Sequence, residues 1–402
     1  MIEADISNLL VIGVDLVSLA VSARRAGYDV YAVDYFGDQD LRRICREVRS
    51  IIEQKAGSSS GRFSTNFNPE ALIKLTRDLL RRNTVDGALI SSGLDDSPDA
   101  LSELNDMVPI IGNSPQTIRR VRDKMGFFQE LEQFRITHPE TEIAEDLEEA
   151  VRRARDMGYP VVVKPSRGFG GSGISRVRSP RELGRAFLAA SALDKTVLIQ
   201  KFIPGIAASA SLISCADEAV TLTLNEQLLG MRRAGQNEPF GYCGNVVPLS
   251  VDESVEDRCR SVVERIALCF SLVGSNGVDL VISREGVPYV VEVNPRFQGT
   301  LECVERVLGM NMVETHVKAC TQGTLPAIAK GISVFCVRLI LFYHKRSMVP
   351  DLSVFKDVRD VPPPGVIVED GEPLCSIVVT GASRDSSLEK AWRMAELIYK
   401  TL

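Results

Sequence analysis

A glycine-rich loop that directly follows a lysine-bearing apolar run is the first feature that could do chemistry. Residues 161–177 read VVVKPSRGFGGSGISRV, with Lys164 among valines and GFGGSG at 168–173. Glycines lack a Cβ and let backbone N–H groups approach an anion closely. A lysine flanked by apolar residues needs a partner for its charge, which a bound phosphate supplies. The stretch predicts a phosphate site, although a bare glycine hairpin stays open from the loop alone.

The order of lysine and glycines argues against two common nucleotide loops. A Walker P-loop carries its lysine after the glycines, whereas Lys164 precedes them. A kinase-type glycine flap lies between two strands, as this loop would, but the H-R-D and D-F-G companions are absent from the sequence. The loop therefore belongs to neither type.

An acidic hairpin is the second candidate for chemistry. Residues 279–299 read DLVISREGVPYVVEVNPRFQG, and a turn at residues 284–286 would set Asp279 opposite or next to Glu292. Asn294, two residues after Glu292, lies on the same face of a strand. Oxygen ligands of this kind suit Mg²⁺, so Asp279, Glu292 and Asn294 are predicted metal ligands. The alternative is that the carboxylates pair with arginines on an exposed sheet face.

The elements before these motifs form a strand, turn, helix and strand over the first 34 residues. Asp34 stands where a dinucleotide fold places its ribose-binding acid, but Gly13 is the only glycine where G-x-G-x-x-G is required. The unit is therefore predicted to be a Rossmann-like fold with an architectural role only. The sequence lacks the glycines that a dehydrogenase would need to bind its dinucleotide. A charged helix is predicted next, over residues 41–54.

Two further segments link these elements. Asn113-Ser114-Pro115 predicts the start of one helix that includes RRVRDKMGFFQELEQF, residues 119–134, with the pair Asp123-Lys124 inside it. The run TVLIQKFIPG at residues 196–205 predicts a strand.

Composition limits the function classes. The 402 residues suggest about two to three domains. A net charge of −6 gives no electrostatic footprint for nucleic acid or an anionic membrane. Nine cysteines at irregular spacing and three histidines fit neither a zinc site nor a disulfide framework. An acidic N-terminus and the lack of a long apolar run predict a cytoplasmic protein without membrane or nucleic-acid partners.

Taken in order, Asp123-Lys124, the strand and glycine loop, the segment LIQKFIPG and D279…E292-V-N294-P-R296 resemble the ATP-grasp superfamily. The resemblance covers roughly residues 110–325 and implies a mixed α/β and α+β fold. It implies a Rossmann-like domain at 1–112, a small lid subdomain at 113–203 and a large subdomain with the metal site at 204–325. Residues 326–402 resemble the small C-terminal α+β domain of biotin carboxylase-like enzymes.

The resemblance also assigns roles to residues. Lys124 and Lys164 would reach the phosphates of ATP, and Arg296 would stabilise the acyl phosphate and oxyanion. The loop closing over the phosphates would comprise Gly168, Gly170, Gly171, Ser172 and Gly173. The adenine-reading strand would comprise Gln200, Lys201, Phe202 and Ile203. The metal ligands would be Asp279, Glu292 and Asn294, and Arg232 and Gln298 would be further catalytic residues.

The sequence departs from the superfamily at the adenine strand, where Gln200 replaces the usual acid. Ala207 and Ala208 stand where a second acid would grip the ribose, so how the ribose is held stays open. Arg232, Arg233 and Arg338 are candidates for holding an acid substrate, although Arg338 could equally form a structural ion pair.

The implied activity is an ADP-forming ligase that uses ATP with one or two Mg²⁺ ions. It would activate a carboxylate as an acyl phosphate and join it to an amine, both small molecules, and the resemblance also implies a homodimer. Biotin carboxylase-like carboxylation is an alternative, but Ala234 and Asn237 replace the expected histidine and lysine and no E-A-M-K-M segment is present. A non-catalytic ATP-binding sensor on the same fold is the other alternative.

Overall fold

Four sheets organise the part of the chain that the computed structural model describes, which is residues 6–328, 331 and 333–402. Residues 1–5, where the acidic N-terminus begins, lie outside this description. The first sheet has four parallel strands in the order β3-β2-β1-β4. Its strands are β1 (Asn8–Gly13), β2 (Asp29–Asp34), β3 (Glu47–Ser50) and β4 (Gly87–Ile90).

Helices pack against this sheet, and strands β1 and β4 are almost entirely buried, as in a parallel sheet covered by crossover connections. The helices of this region are α1 (Val17–Arg25), α2 (Gln39–Ile44), α3 (Phe63–Asn66), α4 (Pro69–Leu80) and α5 (Pro98–Met107). The predicted helix over residues 41–54 is wrong. The helix ends at Ile44, and residues 47–50 pair with β2 instead, because tertiary pairing outweighs the local charge pattern.

Gly13 and Asp34, the two residues that resemble a dinucleotide-binding fold, have structural roles here. A Cβ on Gly13 would lie 2.5 Å from the carbonyl oxygen of Ser92, so the turn after β1 is closed against the loop after β4. Asp34 is buried, and its carboxylate accepts the backbone N–H of Phe36 at 3.1 Å and of Gly37 at 2.7 Å. Asp34 therefore caps its own loop.

The predicted helix around Asp123-Lys124 is two helices, α6 (Pro115–Arg122) and α7 (Lys124–Gln133). Ser114 caps the first, as predicted, by accepting the N–H of Thr117 at 3.1 Å. The backbone is extended at Asp123, with ψ at 94°, so the helix breaks there. The aromatic side of α7, including Phe127, packs into the core of a larger sheet and fixes the position of Lys124 at the first turn of α7.

The predicted lid subdomain, residues 113–203, contains an antiparallel sheet in the order β5-β8-β6-β7, with two helices against it. Its elements are β5 (Thr141–Ala144), α8 (Leu147–Met157), β6 (Val161–Pro165), β7 (Ser175–Val177), α9 (Pro180–Ser191) and β8 (Val197–Lys201). The glycine loop connects β6 to β7, as the sequence predicts.

An eight-stranded sheet in the order β13-β12-β9-β10-β11-β14-β18-β16 forms the rest. Its strands are β9 (Gly205–Ser214), β10 (Ala219–Leu229), β11 (Tyr242–Val247), β12 (Gly274–Ser283), β13 (Pro288–Asn294), β14 (Phe335–Phe342), β16 (Val358–Arg359) and β18 (Pro373–Gly381). A separate two-stranded sheet is formed by β15 (Ser347–Met348) and β17 (Ile367–Val368). A 3₁₀ turn spans Arg232–Ala234, and the helices are α10 (Glu253–Cys269), α11 (Leu301–Leu308), α12 (Met312–Gln322) and α13 (Arg384–Tyr399).

This sheet continues across the predicted domain boundary at residues 325 and 326, because β11 pairs with β14. Residues 329, 330 and 332, near that boundary, lie outside the description, and the division into four domains stays a prediction. Within the described ranges, no helix is both long and apolar enough to cross a bilayer.

Candidate active site

Two carboxylates face each other on the hairpin of β12 and β13, as the turn predicts. Asp279 is the register partner of Glu292. Asn294 donates its Nδ2 to Asp279 Oδ2 at 3.2 Å, and Gln227 donates its Nε2 to Asp279 Oδ1 at 2.9 Å. Burial, and then the charge of Glu292, raises the pKa of Asp279 to about 7. The three predicted metal ligands therefore lie on one patch of sheet.

Two cations at the break between α6 and α7 bind Glu292. Lys124 donates its Nζ to Glu292 Oε1 at 2.6 Å, and Arg122 donates its Nη1 to the same oxygen. Burial raises the pKa of Glu292, but Lys124 and Arg122 outweigh this effect and hold it below its usual range. Burial lowers the pKa of Lys124 although Glu292 opposes the shift. Glu292 is therefore ionised, and Lys124 and Arg122 both bind its carboxylate.

Sequence reasoning missed the residues that orient these cations. Arg122 makes two parallel bonds to Asp96, Nε to Oδ1 at 2.7 Å and Nη2 to Oδ2 at 2.8 Å. Asp95 accepts the Nε of Arg296. Both aspartates come from the loop after β4, far from the motifs in sequence. The only signal was the acidic pair itself, at residues 95 and 96, after a buried strand.

Arg296 lies beside the metal-ligand candidates. Its Nη2 donates to Asn294 Oδ1 at 3.2 Å and its Nη1 to the carbonyl of Phe297 at 2.9 Å. Gln298 bonds instead to its own loop, with its Nε2 donating to the carbonyls of Asn294 and Arg296. Arg296 thus fits the position of an anion-binding group next to the predicted metal, whereas the Gln298 amide is engaged by backbone.

Lys164 is buried without a carboxylate partner in the described structure. Its Nζ donates to Gln200 Oε1 at 3.1 Å, and Gln200 Nε2 donates to Thr141 Oγ1 at 2.8 Å. Burial, and then the charge of Lys124, lowers the pKa of Lys164 to about 8. Gln200, where the superfamily usually has an acid, therefore orients Lys164 without bringing a charge of its own, and the carboxylates of Glu292 and Asp279 act on Lys164 only through space.

The glycine loop packs against the start of β11. Tyr242 donates its backbone N–H to the carbonyl of Gly170 at 2.9 Å. A Cβ on Gly171, whose φ is +84°, would lie 2.0 Å from the carbonyl oxygen of Phe240. The structure thus brings the loop against the large subdomain, and its mobility stays a prediction. The predicted phosphate-binding members are Gly168, Gly170, Gly171, Ser172 and Gly173.

The segment that begins at the end of β8 leads into β9. Lys201 points its Nζ to the carbonyls of Met157 at 2.8 Å and Gly158 at 2.9 Å, at the end of α8. The ring of Phe202 lies 3.8 Å from the guanidinium carbon of Arg176. Ile203 is half-buried. The side chain of Lys201 is thus bonded to the end of α8, so the predicted adenine contact of this segment falls to its backbone.

The structure does not bring Arg232 or its neighbour to this cluster. Arg232 is exposed and forms no ion pair within the described part of the chain. Arg233 pairs with Glu396 and lies 4.7 Å from the Trp392 ring, on α13. Arg338 is buried and bonds to Asp15 at 2.7 Å and Asp360 at 3.0 Å, as a structural ion pair would, and it also donates to the carbonyl of Gly299 at 3.1 Å.

The donor set fits a magnesium ion. Two carboxylates and an amide supply only oxygen ligands, and a buried carboxylate with its pKa raised to about 7 gains from a cation beside it. Residues 6–328, 331 and 333–402 contain no group of three or more histidines, cysteines or acids suited to a metal. A site with two carboxylates is what Mg²⁺ uses when substrate phosphates complete its shell.

Residues 121–300 match the family model described as an ATP-grasp domain. An uncharacterized protein of Methanocaldococcus jannaschii is 24% identical over 92% of this chain and 87% of its own length. The arginine-specific carbamoyl phosphate synthase large chain of Bacillus subtilis is 27% identical over 80% of this chain. This chain spans only 30% of the Bacillus protein.

The fold is also that of a solved enzyme. The structure of biotin carboxylase in an ATP complex from Campylobacter jejuni has a TM-score of 0.73 and 17% identity, over 96% of this chain and 90% of that one. At this identity the similarity concerns the fold alone.

Proposed function

This chain is a member of the ATP-grasp superfamily, and we propose that it is an ADP-forming ligase that joins a carboxylate to an amine. ATP-grasp enzymes use ATP with Mg²⁺, and solved structures of similar fold contain MgADP or ATP. The observation that carries the proposal is the convergence of Lys124, Arg296 and the carboxylates Asp279 and Glu292 on one face of the hairpin. A protein that only bound ATP would not need this arginine beside the metal ligands.

The cations have distinct parts in the proposed reaction. Lys164, buried with a neutral partner, neutralises the transferring phosphate, because a cation without a carboxylate gains most from an anion. Lys124 exchanges Glu292 for phosphate oxygen when ATP enters. Arg296 holds the oxyanion that forms at the acyl carbon. Positioning and electrostatics supply the catalysis, and no side-chain nucleophile is required.

Asp279, Glu292 and Asn294 would hold Mg²⁺. When bound, the ion neutralises the charge that develops on the phosphate oxygens. The protein's own part is to keep Glu292 ionised through Lys124 and Arg122 and to orient Asp279 through Asn294 and Gln227.

The two bond changes balance without an outside oxidant or reductant. A carboxylate oxygen attacks the γ-phosphorus, forms a C–O–P linkage and breaks the bond to the β-phosphate oxygen, so ADP leaves with the electron pair. The amine nitrogen then attacks the acyl carbon and the C–O bond to phosphate breaks. The nitrogen loses a proton and inorganic phosphate leaves, which gives an amide.

The test is a screen of carboxylic acids and amines for stimulated release of ADP by the full chain with MgATP. We expect release only when an acid and an amine are present together, and an amide in the products by mass spectrometry. Bicarbonate-dependent release without an amine would assign carboxylation instead. ATP binding with no stimulated release by any pair would favour a sensor.

Matched lysine variants sharpen the screen. Lys164→Met should lower ADP release about 100-fold or more, because it removes one preorganised charge from the transferring phosphate. Lys318→Met is the control, since Lys318 pairs with Glu314 on the surface. Equal activities of the two variants would contradict the role of Lys164. The homodimer stays a prediction that sedimentation equilibrium would test.

A further inference from the structure

An aromatic cluster lies beside the carboxyl edge of the N-terminal sheet. Tyr35 and Phe36 directly follow β2, and the ring centroids of Tyr35 and Phe63 lie 4.8 Å apart. Phe63 begins α3, and its ring stacks on that of Phe67 with centroids 4.9 Å apart and planes 14° apart. Tyr35 is fully buried, whereas the three phenylalanines are half-buried. The cluster thus has a buried base and an outer face of phenylalanine rings.

Hydrogen bonds to the C-terminal part of the chain fix the segment that carries Phe63. Its backbone N–H donates to Glu372 Oε2 at 2.9 Å. Just before it, Ser60 donates its N–H to the carbonyl of Ile367 in β17 at 3.0 Å, and Ile367 donates to the carbonyl of Ser58 at 2.9 Å. Because neighbours on two sides hold this segment, the ring of Phe63 is a fixed partner for whatever packs against it.

The glycine loop packs one ring against this fixed partner. Phe169, the second residue of GFGGSG, stacks directly on Phe63 with centroids 4.9 Å apart and planes 29° apart. Phe169 is nevertheless 41% exposed, so one face of its ring is covered and the rest meets solvent. A contact of this size stabilises the position of the loop without locking it.

The other side of the loop tip is held by main chain. Gly170 accepts the backbone N–H of Tyr242 at 2.9 Å. A Cβ on Gly171 would lie 2.0 Å from the carbonyl oxygen of Phe240, so the two backbones are in close contact. The backbone contacts belong to the loop before β11, whereas Phe169 reaches the N-terminal domain. The ring contact is therefore the one that a side-chain substitution can remove by itself.

We propose that Phe63 and Phe169 form a latch, in which Phe63 acts as a positioning residue that keeps the glycine loop closed over the phosphates of ATP. The latch rests on the predicted phosphate-binding role of the loop and not on which acid or amine is joined. An aromatic pair shifts the balance between a docked and an undocked loop by about 2- to 12-fold. A latch of this strength suits a loop that must open to admit ATP and to release ADP in every turnover.

The first test measures how fast a nucleotide leaves. The full chain is loaded with Mg²⁺ and a fluorescently labelled, non-hydrolysable ATP analogue, and an excess of unlabelled analogue is added in a stopped-flow instrument. Phe63→Leu and Phe169→Leu should each raise the rate of release about 2- to 12-fold. Because each ring acts through the other, the double variant should release the analogue no faster than either single variant. Unchanged rates, or effects of the two substitutions that multiply, would overturn the latch.

The second test reads the position of the loop itself. Arg167 is exposed directly before the loop, and its backbone N–H donates to Asp194 Oδ2 at 3.0 Å. Cleavage by trypsin after Arg167, followed by mass spectrometry with the analogue bound, therefore reports the fraction of open loop. Both leucine variants should speed this cleavage by the same factor as analogue release. Faster cleavage at all sites alike would mean general loss of stability and would overturn the latch.

Two further variants separate the latch from the cluster that supports it. Phe169→Tyr keeps a ring at an exposed position and should release the analogue at the wild-type rate. Phe36→Leu removes a half-buried ring of the same cluster, whose ring contacts are with Tyr35 and Phe63. Its release rate should stay within about twofold of wild type. Acceleration by Phe36→Leu equal to that of Phe63→Leu would overturn the specific role of the Phe63 ring.

The latch and the ligase function fail in different ways. Faster analogue release from the leucine variants, with no ADP formed by wild type from any acid and amine, would overturn the ligase function and support the latch. Stimulated ADP release by wild type, with analogue release unchanged in the leucine variants, would overturn the latch alone.

Discussion

Two buried arginines, Arg122 and Arg338, look alike by burial and pairing but differ in the charge around them. Their side chains are 7% and 3% exposed, and each contacts two carboxylates. Around Arg122 the cations Lys124 and Lys164 lie close to the same carboxylate, Glu292. Together with Arg296 these cations are four, and they face four acids, Asp95, Asp96, Asp279 and Glu292, of which Asp279 has its pKa raised to about 7. The acids therefore do not outnumber the cations there.

Around Arg338 the acids outnumber the cation. Asp15 and Asp360 bond to it, and burial followed by the charge of Asp15 raises the pKa of Asp360 well above its usual range. Burial, with a smaller contribution from the charge of Asp15, raises the pKa of Asp34 to about 7. Arg338 further donates to the carbonyl of Gly299 and the hydroxyl of Ser376. The balance of charge, rather than the presence of a buried arginine, separates an anion site from a structural ion pair.

The largest effect that separates the two regions is expected from Glu292→Gln. Loss of this carboxylate removes a predicted metal ligand and the shared partner of Lys124 and Arg122, so ADP release should fall on the order of 10³-fold or more. A coupled ADP assay measures it, with the surface variant Glu314→Gln as control. Activity within tenfold of wild type would refute the metal assignment.

Arg338→Met should act on stability instead. Removing the cation leaves Asp15 and Asp360 buried without a counter-ion, so the free energy of unfolding should fall by about 3–5 kcal/mol. Urea denaturation measures the loss, and ATP affinity of the folded protein should not change. Arg233→Met, which breaks a surface pair, is the control and should cost about 1 kcal/mol or less. A weakened ATP affinity with unchanged stability would place Arg338 in the active site.

The acidic surroundings of Arg338 also predict a pH dependence. The folded pKa of Asp34 is about 7, above its unfolded value, so the folded state holds a proton that the unfolded state loses first. Its contribution to stability is therefore present below about pH 4 and lost as pH rises toward 7, by about 1.4 kcal/mol per pKa unit.

The variant Asp34→Asn isolates this contribution. The amide oxygen can still accept the N–H groups of Phe36 and Gly37, but it carries no charge to bury. The melting temperature of the variant, relative to that of wild type, should be higher at pH 8 than at pH 5. Parallel pH profiles for the two proteins would show that Asp34 does not titrate in this range.

The smallest effect is expected from Asp96→Asn in the Arg122 region. Asp96 holds Arg122, which holds Glu292, so the Mg²⁺ concentration needed for half-maximal ADP release should rise about 10- to 100-fold. Asp99→Asn is the control, because Asp99 is exposed and only loosely paired with Arg119. An unchanged Mg²⁺ requirement with slower ADP release would mean that Asp96 acts on Arg122 without affecting the metal.

The sequence alone determined the hairpin site and the fold class. Asp279 and Glu292 meet because alternation along the strands and a short turn set their register locally. The glycine loop lies between two strands for the same local reason. The helix over residues 41–54 was wrong because a strand was added to the sheet by pairing with β2, which is a contact between distant segments.

Only the tertiary structure decided which cations and acids share the site. Arg122 and Lys124 reach Glu292 because the backbone breaks at Asp123, and Asp95 and Asp96 arrive from the N-terminal domain. It also gave Arg338 two carboxylate partners of its own, Asp15 and Asp360, and brought Phe63 against Phe169. Motifs record short-range geometry, whereas the balance of charge in a buried cluster depends on residues whose sequence separation carries no pattern.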